Sequence, residues 1–239
     1  MNYGILHLIP KDIRDDSGSG FVTPIVYDLM SEIKIWAVEN IKTSRRYLKK
    51  IIPEIIIDEL AFYEVSKRTD YRDNEKIISE LKTGNDVGLM SEAGLPGIAD
   101  PGNTLIILCH DLGIEVVPHA GPSSILMALI SSGLNGQKFC FSGYLPVNEG
   151  ERKKSLRKLE KDSRENSSSQ IFMETPYRNN SVFKSVLESL KSDTWFCIAC
   201  DIDSKDQFIK TIRISEWKKS KIPDLHKRPT VFILQANDN

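Results

Sequence analysis

Between Val87 and Leu105 the chain reads VGLMSEAGLPGIADPGNTL. Glu92 and Asp100 offer carboxylates that accept hydrogen bonds from ribose hydroxyls or from an amine. Gly94 and Gly97 let the backbone approach a ligand closely, since no Cβ stands in the way. Pro96 and Pro101 stiffen the bend, and a preformed loop loses less entropy on binding. This chemistry suits an adenosine-like ligand held largely through the main chain.

Other chemistries find less support. No G-x-G-x-x-G follows the first strand, and there is no G-x-x-x-x-G-K-[ST] phosphate loop or G-x-S-x-G elbow. Cys197-x-x-Cys200 falls in a strand, where residues three apart point to opposite faces and cannot easily share a metal. Cys109, Cys140, Cys197 and Cys200 all lie in or beside apolar runs, so buried, reduced thiols are expected. His7, His110, His119 and His226 show no ligand spacing, and no metal is expected. His119 lies beside the suspected site.

The elements that must position these groups alternate. Strands are expected at Gly4–Ile9, Ile33–Val38, Asp86–Met90, Glu115–Val117, Phe139–Gly143, Gln170–Glu174, Trp195–Cys200, Gln207–Ile214 and Val231–Gln235. Helices are expected at Pro24–Met30, Thr43–Ile51, Asn74–Lys82, Asn103–Leu112, Pro122–Ser132, Arg152–Lys161 and Pro176–Leu190, with Asp162–Gln170 as a loop. Strand–helix alternation in the first half implies a parallel α/β layer. After Trp195, strands follow one another at short gaps, which implies antiparallel pairing. A boundary near Pro118–Gly121 divides the chain into domains of residues 1–118 and 119–239.

Four residue pairs place a capping residue or glycine before proline: Thr23-Pro24, Asp100-Pro101, Gly121-Pro122 and Thr175-Pro176. Each is expected to fix a helix start, because proline at the first helical position lacks an amide that would go unpaired anyway. Three of them follow strands, and open α/β sheets bind ligands beyond the carboxyl ends of their strands.

The 239 residues carry a net charge of −1, which excludes a globally basic nucleic-acid binder. Local basic clusters remain at Lys42–Lys50, Arg152–Lys161 and Lys218–Arg228, and such clusters neutralise phosphates without reading sequence. No apolar run is long enough to span a membrane, and the N-terminus lacks a basic signal region, so a cytoplasmic protein is expected.

SEAGLPGIADPG resembles the D-A-G-T-P-x-x-S-D-P-G signature of the tetrapyrrole-methylase-like superfamily. The branch it resembles most is the bacterial small-subunit rRNA 2′-O-ribose (cytidine) methyltransferase family. VENIKTSRRYL (Val38–Leu48) resembles A-E-D-T-R-x-T-x-x-L-L, and PHAGPSS (Pro118–Ser124) resembles P-x-P-G-P-S-A. SGYLP (Ser142–Pro146) with the following GERKK resembles G-F-L-P and G-E-R, and FMETPYR (Phe172–Arg178) resembles F-Y-E-S-P-H-R. Five weak matches in one order are fairly specific.

The resemblance implies a two-domain tetrapyrrole-methylase-like α/β fold, with a mostly parallel N-terminal domain and a mixed-sheet C-terminal domain. It also implies S-adenosyl-L-methionine in the cleft between them, a homodimer, and an RNA substrate, the ribosomal small subunit or its rRNA. Carried over by position, the cofactor-binding residues are Glu92, Ala93, Gly94, Asp100, Gly102, Gly121, Pro122, Ser123, Thr175 and Pro176. The candidates to take a proton from a ribose hydroxyl are Glu174, Glu39 and Glu92, in that order. The substrate-binding candidates are Asn40, Lys42, Arg45, Arg46 and Arg178. Some positions depart from the pattern. Leu95 stands for Thr, Glu92 for Asp, Asn40 for an acid and Lys42 for Arg, and PKDIRDDSGSGF replaces P-T-P-x-G-N. Two alternatives stand beside this reading: a tetrapyrrole methyltransferase, and a non-catalytic RNA- or partner-binding module that keeps the fold.

Overall fold

A computed structural model describes residues 3–14, 21–65, 71–221 and 223–236. The middle of the first loop, residues 15–20, lies outside them. Two compact units divide the chain, Met1–Ser123 and Ser124–Asn239.

The first unit holds β1 (Leu6–Leu8), α1 (Pro24–Glu32), β2 (Ile35–Val38), α2 (Ile41–Ile51), β3 (Ala61–Glu64), α3 (Tyr71–Lys82), β4 (Val87–Met90), α4 (Asn103–Asp111) and β5 (Val116–Pro118). Its sheet order is β3-β2-β4-β1-β5 and every pairing is parallel, as the alternation predicts. β2 and β4 are buried along their whole length, so both read as continuous apolar runs. Val26, Met30, Tyr47 and Leu48, from α1 and α2, join Trp36, Val38 and Met90 in one core. Ile77, Leu81, Leu105 and Cys109, from α3 and α4, join Leu6, Ala37, Val87 and Leu89 in another. The helices after β1 and β2 therefore cover one face, and those after β3 and β4 cover the other. β1 and β4 are neighbours whose connections diverge to opposite faces, which opens a crevice at their carboxyl ends.

The second unit holds α5 (Ser124–Ser132), β6 (Phe139–Tyr144), α6 (Glu149–Asn166), β7 (Ser169–Met173), α7 (Asn179–Ser189), β8 (Trp195–Cys200), β9 (Phe208–Arg213), α8 (Ile214–Trp217) and β10 (Thr230–Gln235). The sheet order is β6-β7-β10-β8-β9. β6 and β7 are parallel, and the other three pairings are antiparallel, so the sheet is mixed. α5 packs on one face with Ile171, Cys197, Ala199 and Ile233. α6, α7 and α8 pack on the other with Phe172, Phe196, Phe232 and Cys200. Burying each isoleucine or phenylalanine among them contributes about 1.5–3 kcal/mol.

Several expectations need correction. β3 was not expected from its sequence, AFYE, an edge strand only partly buried and without β-branched residues. α6 continues through Asn166, into the stretch read as a loop, and ends where Ser167 turns left-handed at φ 49°. Cys140 is exposed on the edge strand β6, while Cys109, Cys197 and Cys200 are buried. Cys197 and Cys200 sit in the cores on opposite faces of the sheet. Burial pushes the Cys197 thiol up to about 11, which keeps it protonated. Of the four cap–proline pairs, only Thr23-Pro24 opens a helix, with Thr23 Oγ1 accepting from the Val26 amide at 3.4 Å. α4 starts at Asn103, α5 at Ser124 and α7 at Asn179, so the other three pairs shape the bend upstream of a helix.

Candidate ligand site at the carboxyl edge of the parallel sheet

The bend after β4 is bound to the exit of β1 by main-chain bonds. The Lys11 amide donates to the Gly94 carbonyl at 2.9 Å, and the Gly94 amide donates back to the Lys11 carbonyl at 3.0 Å. Gly94 has φ 69°, and a Cβ there would lie 3.3 Å from the Pro122 carbonyl oxygen. Gly121 is packed so tightly that a Cβ would fall 2.1 Å from the Pro10 ring. Thus Gly94 packs tightly against Pro122 with a left-handed φ, and Gly121 leaves no room for a Cβ beside Pro10. Gly102 precedes α4 with φ 121° against the Leu89 side chain. Ala99 is left-handed at φ 66°, and Ser91 Oγ donates to the Ala93 carbonyl at 3.2 Å. Ala93 is exposed, Asp100 half-buried and Ser123 buried.

Polar groups from β2 and α2 join this bend. Asn40 caps α2, accepting from the amides of Lys42 at 3.0 Å and Thr43 at 3.2 Å. Thr43 Oγ1 reaches Glu92 Oε1 at 2.6 Å, and Glu39 Oε2 accepts from the Glu92 amide at 3.4 Å. Glu39, Asn40, Thr43 and Glu92 therefore form one connected group, joining the carboxyl ends of β2 and β4 to the start of α2. Lys42 and Arg46 are exposed. Arg45 pairs with Asp58 at 2.6 Å and lies over Phe62, a surface contact of small energy.

Lys11, Asp12, Tyr47 and His7 add groups that sequence reasoning missed. Lys11 and Asp12 are buried, Lys11 Nζ lies 5.2 Å from the Tyr47 ring centre, and the Asp12 amide donates to Tyr47 Oη at 3.3 Å. Burial pushes the Tyr47 hydroxyl above its ordinary range, so it stays protonated. His7 and His119 share a ring-nitrogen contact of 3.1 Å, and burial lowers the pKa of both. The signal that could have found Lys11 is its place in the loop directly after a parallel strand.

The second unit brings together Glu174, Thr175, Pro176 and Arg178 after β7. Glu174 is buried; its Oε1 accepts from the Thr175 amide at 2.6 Å and its Oε2 holds the Arg178 guanidinium. Both carboxylate oxygens are thereby engaged.

The first unit's groups fit the cofactor implied above. S-adenosylmethionine carries a ribose diol and an ammonium that require acceptors, and Glu39 and Glu92 supply carboxylates at this bend.

The chain is similar to known proteins along its length. It is 30% identical over 236 residues to the ribosomal RNA small subunit methyltransferase I of Buchnera aphidicola subsp. Schizaphis graminum, covering 98% of this chain and 79% of that one. It is 31% identical to the protein of the same name from Escherichia coli O157:H7, with 90% and 72% covered. For the one from Bacillus subtilis strain 168 the values are 31%, 87% and 67%. No family model matches. Among solved structures, the methyltransferase CobJ superposes with a TM-score of 0.63 at 16% identity, covering 98% of this chain and 94% of that one. Diphthine synthase gives 0.64 at 15%, with 98% and 90% covered. At those identities the likeness establishes a shared fold of the tetrapyrrole-methylase type, as the sequence resemblance implies.

Proposed function

The chain belongs to the ribosomal RNA small subunit methyltransferase I family, and from that membership we propose that it transfers a methyl group from S-adenosylmethionine to a ribose 2′-hydroxyl of small-subunit rRNA. The observation that carries this reading is the glycine–acid bend after β4, locked onto the β1 exit at the carboxyl edge of a parallel sheet. In this proposal Glu92, Ala93, Gly94, Asp100, Gly102, Gly121, Pro122 and Ser123 bind the cofactor from the first unit.

Bound there, S-adenosylmethionine supplies an electrophilic methyl group. The chain's own task is to hold the acceptor hydroxyl in line, and positioning alone is worth about 7–11 kcal/mol of barrier. A carboxylate within hydrogen-bond reach of the hydroxyl takes its proton. Glu39 and Glu92 are the carboxylates available for that role beside the bend. Glu174, engaged on both oxygens, acts instead by positioning Arg178 toward RNA phosphate. Lys42, Arg45 and Arg46 on α2 add positive charge for the same backbone, and Asn40 fixes the start of that helix.

The enzyme is proposed to work in the cytoplasm as a homodimer. The apolar side chains of Leu126 and Ile130, exposed one turn apart on α5, supply a surface suited to self-association. The test is transfer of a radiolabelled methyl group from S-adenosylmethionine to deproteinised small-subunit rRNA and to intact small subunits, with a porphyrinogen as control. Label in a ribose 2′-O-methyl nucleotide after digestion supports the reading. Label only in the porphyrinogen contradicts it.

A further inference from the structure

One surface of the second unit has features that methyl-group chemistry does not require. Tyr177, on the bend between β7 and α7, is 70% exposed although it is a large aromatic side chain. His226 meets its ring edge-on at 6.0 Å between centroids, and Lys227 Nζ stands over the ring at 5.9 Å. Lys227 adopts φ 60°, a left-handed conformation that a lysine adopts only when its surroundings enforce it.

The surroundings do enforce it. The Lys227 amide donates to the Pro176 carbonyl at 3.1 Å. Asn179 Nδ2 donates to the Arg228 carbonyl at 2.6 Å, and Asn180 Oδ1 accepts from the Leu225 amide at 2.9 Å. Asp224 Oδ1 accepts from Asn180 Nδ2 and from the His226 amide, so the one acid of the turn is drawn into it. Arg228 is fixed by Asp201 at 2.6 Å and by the carbonyls of Asp206 and Asp224. Beside Tyr177, Arg178 is anchored by Glu174 while its buried Nε has no protein partner. The result is an aromatic ring open to solvent on a fixed stretch of main chain, with His226 at its edge, Lys227 over it and Arg178 next in the sequence. A protein partner selected for apolar burial would not need a lysine over the ring and an imidazole at its edge. A flat π-system attached to a polyanion needs both.

We propose that Tyr177, with His226 and Lys227, is a stacking platform for an unpaired nucleobase of the RNA substrate. This rests on the RNA methyltransferase reading and adds to it a base subsite and a preference for single-stranded targets. The ring supplies a π-face of any-base tolerance, and the cations neutralise the adjoining phosphates.

The experiment uses the full-length chain and two RNA probes, a single-stranded oligonucleotide carrying 2-aminopurine and the same sequence closed into a duplex. The wild type should bind the single strand more tightly and quench its fluorescence. Tyr177→Ala should weaken single-strand binding about 5- to 100-fold and abolish quenching. Tyr177→Phe should stay within about twofold of wild type, since it keeps the ring. Lys227→Ala should weaken binding less and flatten its salt dependence. S-adenosylhomocysteine affinity, measured on each variant, should not change. If Tyr177→Ala binds RNA like wild type while the wild type transfers methyl groups to rRNA, the platform is refuted and the methyltransferase reading stands. If Tyr177→Ala changes only the sedimentation of the chain, the ring serves contact between copies and the platform is likewise refuted. If the wild type neither binds RNA nor methylates it, both readings fall together.

Discussion

The bend after β4 and the bend after β7 each follow a strand and each contain proline, yet they are held in opposite ways. The first is fixed by main chain: Lys11 to Gly94 in both directions, Gly94 against Pro122, Gly121 against Pro10. The second is fixed largely by side chains, Glu174 to Arg178, Asn179 to Arg228 and Arg228 to Asp201, beside the main-chain bond from Lys227 to Pro176. A backbone-held bend keeps its own side chains available for a ligand and tolerates little change in shape. A bend held by charged side chains uses those charges on itself and presents what remains, here Tyr177 and one edge of Arg178.

On this contrast, the first bend breaks by adding a methyl group and the second by removing a charge. Gly121→Ala has the largest expected effect, because its Cβ would fall 2.1 Å from a Pro10 ring atom and force the ring or the main chain to shift. The cost should reach the upper end of the about 1–3 kcal/mol typical of overpacking. That corresponds to a melting temperature lower by roughly 6–12 °C in calorimetry. S-adenosylhomocysteine binding should be lost as well.

Glu174→Gln comes next. It removes the charge that holds Arg178 but keeps an acceptor for the Thr175 amide, and Arg178 is partly exposed. A cost of about 1–2 kcal/mol is expected in urea unfolding. With rRNA as substrate, KM should rise while kcat is largely kept. A collapse of kcat at unchanged KM would instead make Glu174 the proton acceptor and reverse the roles assigned to the two bends.

The smallest effect is a pH dependence confined to the first unit. Burial lowers the folded-state pKa of His7 and His119, and each imidazole also faces the other, with Asp86 3.8 Å from His7 and Glu115 acting on it. The unfolded chain then takes up protons more readily. The contribution of the pair is intact above about pH 6.5 and declines as pH falls below it toward the folded-state values. Replacing His119 by Asn should make the unfolding midpoint less sensitive to pH between 7 and about 5.

Much of this was legible in the sequence. The parallel layer followed from alternation, because strands buried on both faces, such as β2 and β4, are written in continuous apolar residues. The opposite faces of Cys197 and Cys200 followed from strand periodicity. The glycine–acid bend announced itself through residues whose backbone preferences are extreme. What escaped were features set by neighbours distant in sequence. β3 is an edge strand that owes its conformation to pairing with β2, not to AFYE itself. Cap–proline pairs fix φ locally but do not by themselves start a helix, and α4, α5 and α7 begin two or three residues after the proline. Lys11 is named by no motif, since its link to Gly94 joins main chain 83 residues apart and asks nothing of its side chain. Tyr177 and Lys227 meet only because β10 runs antiparallel to β7 and brings the turn before it to the end of β7.

The most direct test of the account is the structure of the chain with S-adenosylhomocysteine bound. The account predicts the nucleoside against Glu92–Gly102, with a carboxylate of Glu39 or Glu92 within hydrogen-bond distance of the ribose or of the amino group. Density for the nucleoside at any place away from that bend would contradict it.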